Sequence, residues 1–308
     1  MIRQGKYLFV ARFLALPLAL YLVFVVSPYL QTVYYSLTDW RGFSSAAPFV
    51  GLRQYARVFH DGVFWMAVEH NGLFLLVLPI ATILLALFLA FMLNLGGRGD
   101  RAGVRGVRGA AAYRIVFFFP QVLSVAIIAV LWQQVYRTDS EGLLNRALIA
   151  VGLVDPDRPV LWLSDPRLVL WCIIFVSLWS TAGFYMVLCS AAMRSIPRDI
   201  VEAAMLDGAG RGRLFLRITI PLLWDTVQLS WVYLAITAMD GFAFVFIMTP
   251  DQGGPNHASE VLGTWVFYNA FGRGQPALAS AMAVVMTAGT LVLAAASLRL
   301  SRRERIEL

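Results

Sequence analysis

The stretch VEAAMLDGAGRGRLFLRITIP, residues 201–221, is polar, rich in small residues and broken by glycine, yet it lies between two of the most apolar runs of the chain. Its residues predict a short helix, a turn and a second short helix. Pro197 suits the first turn of a helix, where its missing N–H leaves no bond unmade. Ile196, Ile200, Ala203 or Ala204, and Asp207 then recur at three-to-four spacing along one small, mostly apolar face. Gly208 and Gly210 permit a backbone with φ > 0, and Leu214, Phe215 and Ile218 form a second amphipathic run that Pro221 limits. Two readings fit: an interfacial loop, or a knob. In the knob, alanines permit close approach to a partner while Glu202 offers a carboxylate to a basic group in the partner's groove.

The rest of the chain supplies the setting. Of its 308 residues, 59% are hydrophobic and 14% charged, with a mean hydropathy of +0.71. That is more apolar side chain than a soluble fold of this length buries, so the bilayer is part of its solvent. A hydrocarbon core of about 30 Å needs roughly 20 apolar helical residues. Five uncharged windows meet that length: Phe13 to Tyr35, Gly72 to Leu95, Ile115 to Tyr136, Leu168 to Met193 and Pro276 to Leu298. A sixth, from about Leu222 to Met248, contains Asp225 and Asp240 and ranks last by hydropathy. It is needed to bring both ends of the chain to one side. The expectation is an all-α polytopic membrane protein with six transmembrane helices.

Orientation follows from Lys and Arg in the connections, which concentrate on the cytoplasmic side. The N-terminus, the loop from Gly96 to Arg114, the loop from Arg194 to Arg217 and the tail from Arg299 together hold 17 basic residues, and the other three loops hold 8. Both termini are therefore expected in the cytoplasm. The layout is a cytoplasmic N-terminus over 1–12, a transmembrane domain over 13–299 that includes the cytoplasmic loop 194–221, and a tail over 300–308. The net charge of +7 is then a consequence of topology and calls for no nucleic-acid partner. The first span has a basic flank, but its apolar stretch is too long for a signal peptide and Ser45-Ala46-Ala47 lies too far beyond it.

Catalytic motifs are missing. His60, His70 and His257 fall in or beside predicted external loops with no Cys or carboxylate at metal-ligand spacing, and read as polar loop residues. Cys172 and Cys189 share one predicted helix 17 residues apart, about 26 Å at 1.5 Å per residue, too far to pair. A phosphate-binding loop requires a lysine after its glycines, and the chain has a single lysine, Lys6. The run GGRGDRAGVRGVRGA at 96–110 spells an adhesion tripeptide and mixes Gly with Arg as RNA-binding tails do. Without aromatic residues to stack bases, it reads as a flexible connector.

EAAMLDGAGRGRLFLRITIPLL, residues 202–223, resembles the cytoplasmic E-A-A-x-x-D-G-A…F…I…P signature of importer permeases of the ATP-binding cassette class. Glu202, Ala203, Ala204, Asp207, Gly208, Ala209, Phe215, Ile218 and Pro221 all match it. LALPLALYLVFVVSPYLQTVYYSLTDW, FVGLRQYARVFHDGVFW, FFFPQVLSVAIIAVLWQQVYRTDSEGLLN and MTPDQGGPNHASEVLGTWVFYNAF look like the first permease subunit of carbohydrate importers, similar to the maltose permease family. The resemblance covers nearly the whole chain. It departs at Asn71-Gly72, where the family usually has Asn-Thr, and at GRGQPALAS before the last span.

The resemblance implies the type I importer permease fold in a bacterial inner membrane. It also implies a sister permease subunit, two copies of an ATPase that bind the ATP, and an extracytoplasmic sugar-binding protein. The chain itself would need no cofactor and no metal. Glu202, Ala203, Ala204, Asp207, Gly208 and Ala209 would couple it to the ATPase. For the substrate pathway the resemblance and intramembrane polarity together single out Ser180, Thr181 and Phe184 before the loop, and Thr237, Asp240 and Gly241 after it. A carboxylate at membrane depth costs about 2.5–3.5 kcal/mol on insertion scales unless it faces a cavity or a partner, so Asp240 faces either the pathway or a neighbouring helix.

Two further functions are compatible with parts of the sequence. A same-fold permease for glycerol 3-phosphate or another sugar derivative would favour a basic residue in the pathway, and none is visible in the spans. A polytopic membrane enzyme would need a carboxylate or histidine cluster at membrane depth, which Asp225 and Asp240, 15 residues apart on one helix, cannot form. The topology is testable. In a background lacking Cys172 and Cys189, a cysteine replacing Asp157 should react with an impermeant thiol reagent in intact cells. Labelling only after lysis would invert the assignment.

Overall fold

The computed structural model describes residues 13–42, 46–95, 107 and 109–300; the side chains of Leu95, Arg198, Asp240, Leu298 and Leu300 lie outside the described set. The expected N-terminus over 1–12, most of the loop 96–108 and the tail from 301 also lie outside it. In chain order the principal helices are α1 (Phe13–Ser36), α2 (Gly62–Leu95), α3 (Ala110–Val122), α4 (Val125–Val135), α5 (Val169–Met193) and α6 (Arg198–Leu206). They are followed by α7 (Trp224–Asp240), α8 (Phe242–Met248) and α9 (Pro276–Leu300). Among the described residues the β structure amounts to an isolated antiparallel bridge between Thr38 and Phe49. The chain is all-α.

Four helices, α1, α2, α5 and α9, are long and apolar enough to cross a membrane unaided. The third and fifth expected spans are bent pairs. The window Ile115 to Tyr136 divides into α3 and α4, which meet at 100°. Pro120 has no N–H to bond back into its own helix, Leu123 turns extended at ψ 146°, and the Ser124 hydroxyl accepts Ile127 N at 3.4 Å to start α4. The window Leu222 to Met248 divides into α7 and α8, bent by 44° at Gly241, whose φ is +41°. Hydropathy averages over such breaks, which is why each pair reads as one run in the sequence.

α2 begins at Gly62, ten residues before the expected Gly72. Glu69, His70 and Asn71 interrupt the apolar window without interrupting the helix. Its 34 residues span about 51 Å, more than the hydrocarbon core alone requires. Asp61 starts it, its carboxylate accepting Val63 N at 2.9 Å.

The chain forms two compact units, Met1–Trp65 with Trp265–Gly289, and Met66–Thr264 with Thr290–Leu308. In the first, a polar knot follows α1. The buried Gln54 amide donates to Thr38 O at 3.0 Å and Asp39 Oδ1 at 3.1 Å, Ser36 Oγ bonds the Tyr55 hydroxyl at 2.7 Å, and Trp265 Nε1 donates to Asp61 Oδ2 at 2.8 Å. The most apolar part of α1 is wholly exposed on this chain, so lipid or another chain must cover it.

The second unit holds the main core, built from Phe74, Leu78, Leu87 and Phe91 of α2, Ile173, Val176 and Met186 of α5, Leu234 and Ala238 of α7, and Val245 and Met248 of α8. The connection after α4 is tied by Asn145, which is fully buried in the short helix Leu143–Ala150. Its amide donates to Arg137 O, Asp139 O and Val160 O at 3.1–3.2 Å, and its Oδ1 accepts Val160 N and Trp162 Nε1 at 3.2 and 3.0 Å. One side chain thus replaces the regular bonding that this connection lacks. Cys172 and Cys189 are buried and unpaired with each other.

Within this unit α3 and α5 approach closely at Gly183. A Cβ on Gly183 would overlap the Phe117 carbonyl and come within 2.8 Å of Phe118 Cα, backbone that cannot swing aside. Gly183 thus lets two helices touch through their main chains, as small residues do in lipid. Gly183→Ala should cost about 1–3 kcal/mol through overpacking, read as a lowered melting temperature of the purified protein in detergent. An unchanged melting temperature would contradict this packing.

Candidate functional site

The opening stretch folds as a hairpin of short helices. Pro197 is the N-cap of α6, extended at ψ 133°, and not a residue of its first turn. At the other end Gly208 takes φ +77°, Ala209 N donates to Ala204 O at 2.9 Å and Gly208 N to Met205 O at 3.0 Å. These paired six-to-one and five-to-two bonds make a Schellman turn, which uses carbonyls that the helix end leaves free and needs a left-handed residue at the glycine position. Gly210 is extended at φ −67°, so the turn uses the left-handed freedom of Gly208 and not that of Gly210. The D-G-A run is therefore the stop of α6.

After the turn, Arg211–Leu214 is α-helical, Phe215–Thr219 forms a π turn and Ile220–Leu222 resumes the α pattern. Pro221 does not end this limb, contrary to expectation. The wide turn before it accommodates its missing N–H, and the chain bends instead at Leu223 before α7.

The hairpin has an anchored back and an open front. Val201 and Leu214 are buried, and Ile196, Ala204, Phe215, Ile218 and Ile220 pack against the core. The Phe215 ring lies 4.9 Å from Phe91 near the end of α2. Glu202, Ala203, Asp207 and Gly208 are exposed, Ala209 is half-buried, and the apolar Leu206 is 89% exposed at the end of α6. Two carboxylates, a small-residue surface and a bare leucine thus face outward from a rigid support. Leu214 supports the hairpin as its place in the expected amphipathic run implies, whereas Val201 carries no expectation from the sequence, although its spacing from Ile196 on the same face was the available signal.

The expected pathway residues are placed less uniformly. Ser180 is buried and Thr181 half-buried, and both hydroxyls donate to Ser177 O at 2.8 Å. Phe184 is 44% exposed, edge-on to Tyr185 at 5.2 Å. Thr237 is exposed on α7 and donates to Tyr233 O at 3.0 Å. The Asp240 side chain lies outside the described residues, while its backbone ends α7. Gly241 forms the break that follows. Among the described residues no hydrogen bond joins the Ser180 group to the Thr237 group; what they share is the core that α5 and α7 build together.

The sequence reading treated Asn71 as a local departure. It is 1% exposed, and its amide donates to Ala238 O at 3.1 Å and Met239 O at 3.0 Å while its Oδ1 accepts Leu262 N at 2.8 Å. His70, expected as a polar loop residue, lies inside α2 and bonds Glu260 O through Nδ1 at 2.8 Å. Glu260 is itself buried, with its carboxylate on Thr264 Oγ1 at 2.5 Å and His257 Nδ1 at 2.8 Å. Around it winds the D-Q-G-G-P-N-H run, in which Asp251, Gln252, Asn256 and His257 all have positive φ. Three consecutive polar residues inside an otherwise apolar window, Glu69-His70-Asn71, were the legible sign of this cluster.

A family model described as binding-protein-dependent transport system inner membrane component matches residues 13–306. The chain is 40% identical to the diacetylchitobiose uptake system permease protein NgcF of Streptomyces coelicolor, over 93% of this chain and 80% of that protein. It is 31% identical to the alpha-glucoside transport system permease protein AglF of Rhizobium meliloti, over 88% and 75% of the respective chains. Among solved structures, a chain of a bacterial alginate ABC transporter, in complex with its alginate pentasaccharide-bound periplasmic protein, superposes with a TM-score of 0.79 at 22% identity. That likeness covers 97% of this chain and 96% of the other, and it speaks for the fold. With its bent-pair helical fold, its glycine-stopped hairpin and a family match from α1 into the tail, this chain belongs to the binding-protein-dependent transport system inner membrane components.

Proposed function

We propose that the chain is the permease subunit of an ATP-driven sugar importer of a bacterial inner membrane, crossing it six times with both termini in the cytoplasm. The four unaided helices supply four crossings and the pairs α3–α4 and α7–α8 the other two. A sister permease completes the pathway, two ATPase subunits bind and hydrolyse ATP, and an extracytoplasmic sugar-binding protein delivers the substrate. The chain itself takes part without a cofactor. Sugar as the cargo is supported by the relatives' names, which specify diacetylchitobiose and alpha-glucosides.

The observation that carries the coupling role is the hairpin of α6 and its Schellman turn. A docking element must transmit force, so it must be stiff behind and exposed in front. Val201, Leu214 and Phe215 fix the back, with Ala204 packed beside them; Glu202, Ala203, Asp207, Gly208 and Ala209 form the face turned to the ATPase, and Ala204 joins that face to its support in the same coupling element. Ser180, Thr181, Phe184, Thr237, Asp240 and Gly241 belong to the substrate pathway, where hydroxyls and a carboxylate meet sugar hydroxyls and the Phe184 ring offers a stacking face.

Gly208 separates docking from local folding. A Cβ there meets no atom within 4 Å, and aspartate tolerates the left-handed region better than most residues. Gly208→Asp should therefore leave the protein in the membrane at normal level while lowering ATP-dependent saccharide uptake at least about tenfold, the cost of 1.4 kcal/mol of lost coupling. Wild-type uptake in this variant would overturn the coupling role.

A further inference from the structure

In a continuous helix the carbonyls of Ala238 and Met239 would accept from the N–H groups four residues on, those of residues 242 and 243. Gly241 diverts the chain at φ +41° and α8 departs at 44°, so both carbonyls lose those donors. Ala238 and Met239 are buried, so these carbonyls need donors from the protein itself. Asn71 replaces them from another helix, its two amide hydrogens matching the two carbonyls and its Oδ1 taking Leu262 N, the first N–H of the helix Leu262–Phe267. The adjacent His70 holds the carbonyl of Glu260 in the same segment.

The last turn of α7 is thus positioned by a side chain of α2. Thr237 lies one residue before the pinned carbonyls, and residues 240 and 241 directly after them. We propose that Asn71 is a specificity-determining positioning residue: it fixes the Thr237–Gly241 end of α7 and thereby decides which saccharides the pathway accepts. The inference rests on the reading that Thr237, Asp240 and Gly241 line that pathway. The chemistry selects asparagine. Aspartate would accept from Leu262 N but has no hydrogen to give either carbonyl. Glutamine keeps both donors and the acceptor on an arm one methylene longer, so it preserves the bonding groups while shifting the strand of chain they hold.

The test uses the assembled transporter, with sister permease, ATPase and binding protein, in proteoliposomes. From a panel including N,N′-diacetylchitobiose, maltose and a trisaccharide of each series, the two best-imported saccharides are chosen. Initial uptake of each is then measured with a saturating amount of the same loaded binding protein throughout. Asn71→Gln, which keeps every bonding group, should change the ratio of the two rates by about tenfold, in the range of pocket-based discrimination, at a yield of intact complex close to wild type; Asn71→Asp, which strands both carbonyls, should change the ratio too, at a lower yield. A merely structural role would lower both rates in proportion to complex yield and leave the ratio fixed, and that result in either variant overturns the inference. Asp240→Asn and Thr237→Val serve as reference. If they leave rates and ratio untouched while the wild type imports saccharide, the pathway reading fails and the inference with it. If they alter the ratio and neither Asn71 variant does, the inference alone fails. Import of no saccharide by the wild type would refute the sugar reading and this inference together.

Discussion

A bilayer core offers no hydrogen bonds, so every interruption of a helix inside it must be satisfied by the protein itself. That constraint organises this chain. At the α3–α4 break the Ser124 hydroxyl takes Ile127 N. At the α7–α8 break Asn71 takes both stranded carbonyls of α7. The connections outside the apolar windows follow the same logic at lower stakes, with Asn145 gathering the turns after α4 and Asp61 capping α2. Each interruption named here has a polar side chain at it, local for Ser124 and Asp61 and distant in sequence for Asn71.

Those joints have a mechanical meaning for a transport component. Helices α2, α5, α7 and α8 share one core, and α6 with its following limb is bolted to that core through Val201, Leu214 and the Phe215–Phe91 contact. A displacement of the hairpin is therefore passed to packed helices and not dissipated in a loose loop. The Schellman turn at Gly208 contributes by ending α6 abruptly, which leaves Leu206 and the carboxylates at the edge of a stiff element. Within unit 2 the Gly183 contact holds α3 to α5 through main-chain proximity, so the bent pair is coupled to the same body.

Much of this was legible in the sequence. The apolar windows of α1, α2, α5 and α9 were long enough for hydropathy to find them, and the E-A-A-x-x-D-G-A pattern located the hairpin and the family. The breaks were not legible, because hydropathy sums side chains and says nothing about backbone direction. Pro120 and Gly241 marked the two bends, yet proline and glycine also occur in straight membrane helices: α2 runs through Pro79 without a break. The start of α2 was misplaced because Glu69, His70 and Asn71 looked like a loop, whereas His70 and Asn71 are bonded to segments near 240 and 260. The polar triplet shows locally that partners exist, but nothing local says that they lie some 170–190 residues away. The same holds for Pro221, which looked like a helix stop until the π turn before it absorbed the missing donor.

The central claim is that this chain is one half of a pathway driven by other subunits. Purification through a tag on this chain, with native mass measurement of what accompanies it and reconstitution of that assembly into liposomes, tests the claim most directly. The account predicts one copy of this chain with one sister permease and two ATPase subunits, and saccharide uptake that requires both ATP inside reach of the ATPases and the binding protein on the opposite face. A chain that purifies without those subunits, or that moves saccharide without ATP, would contradict it.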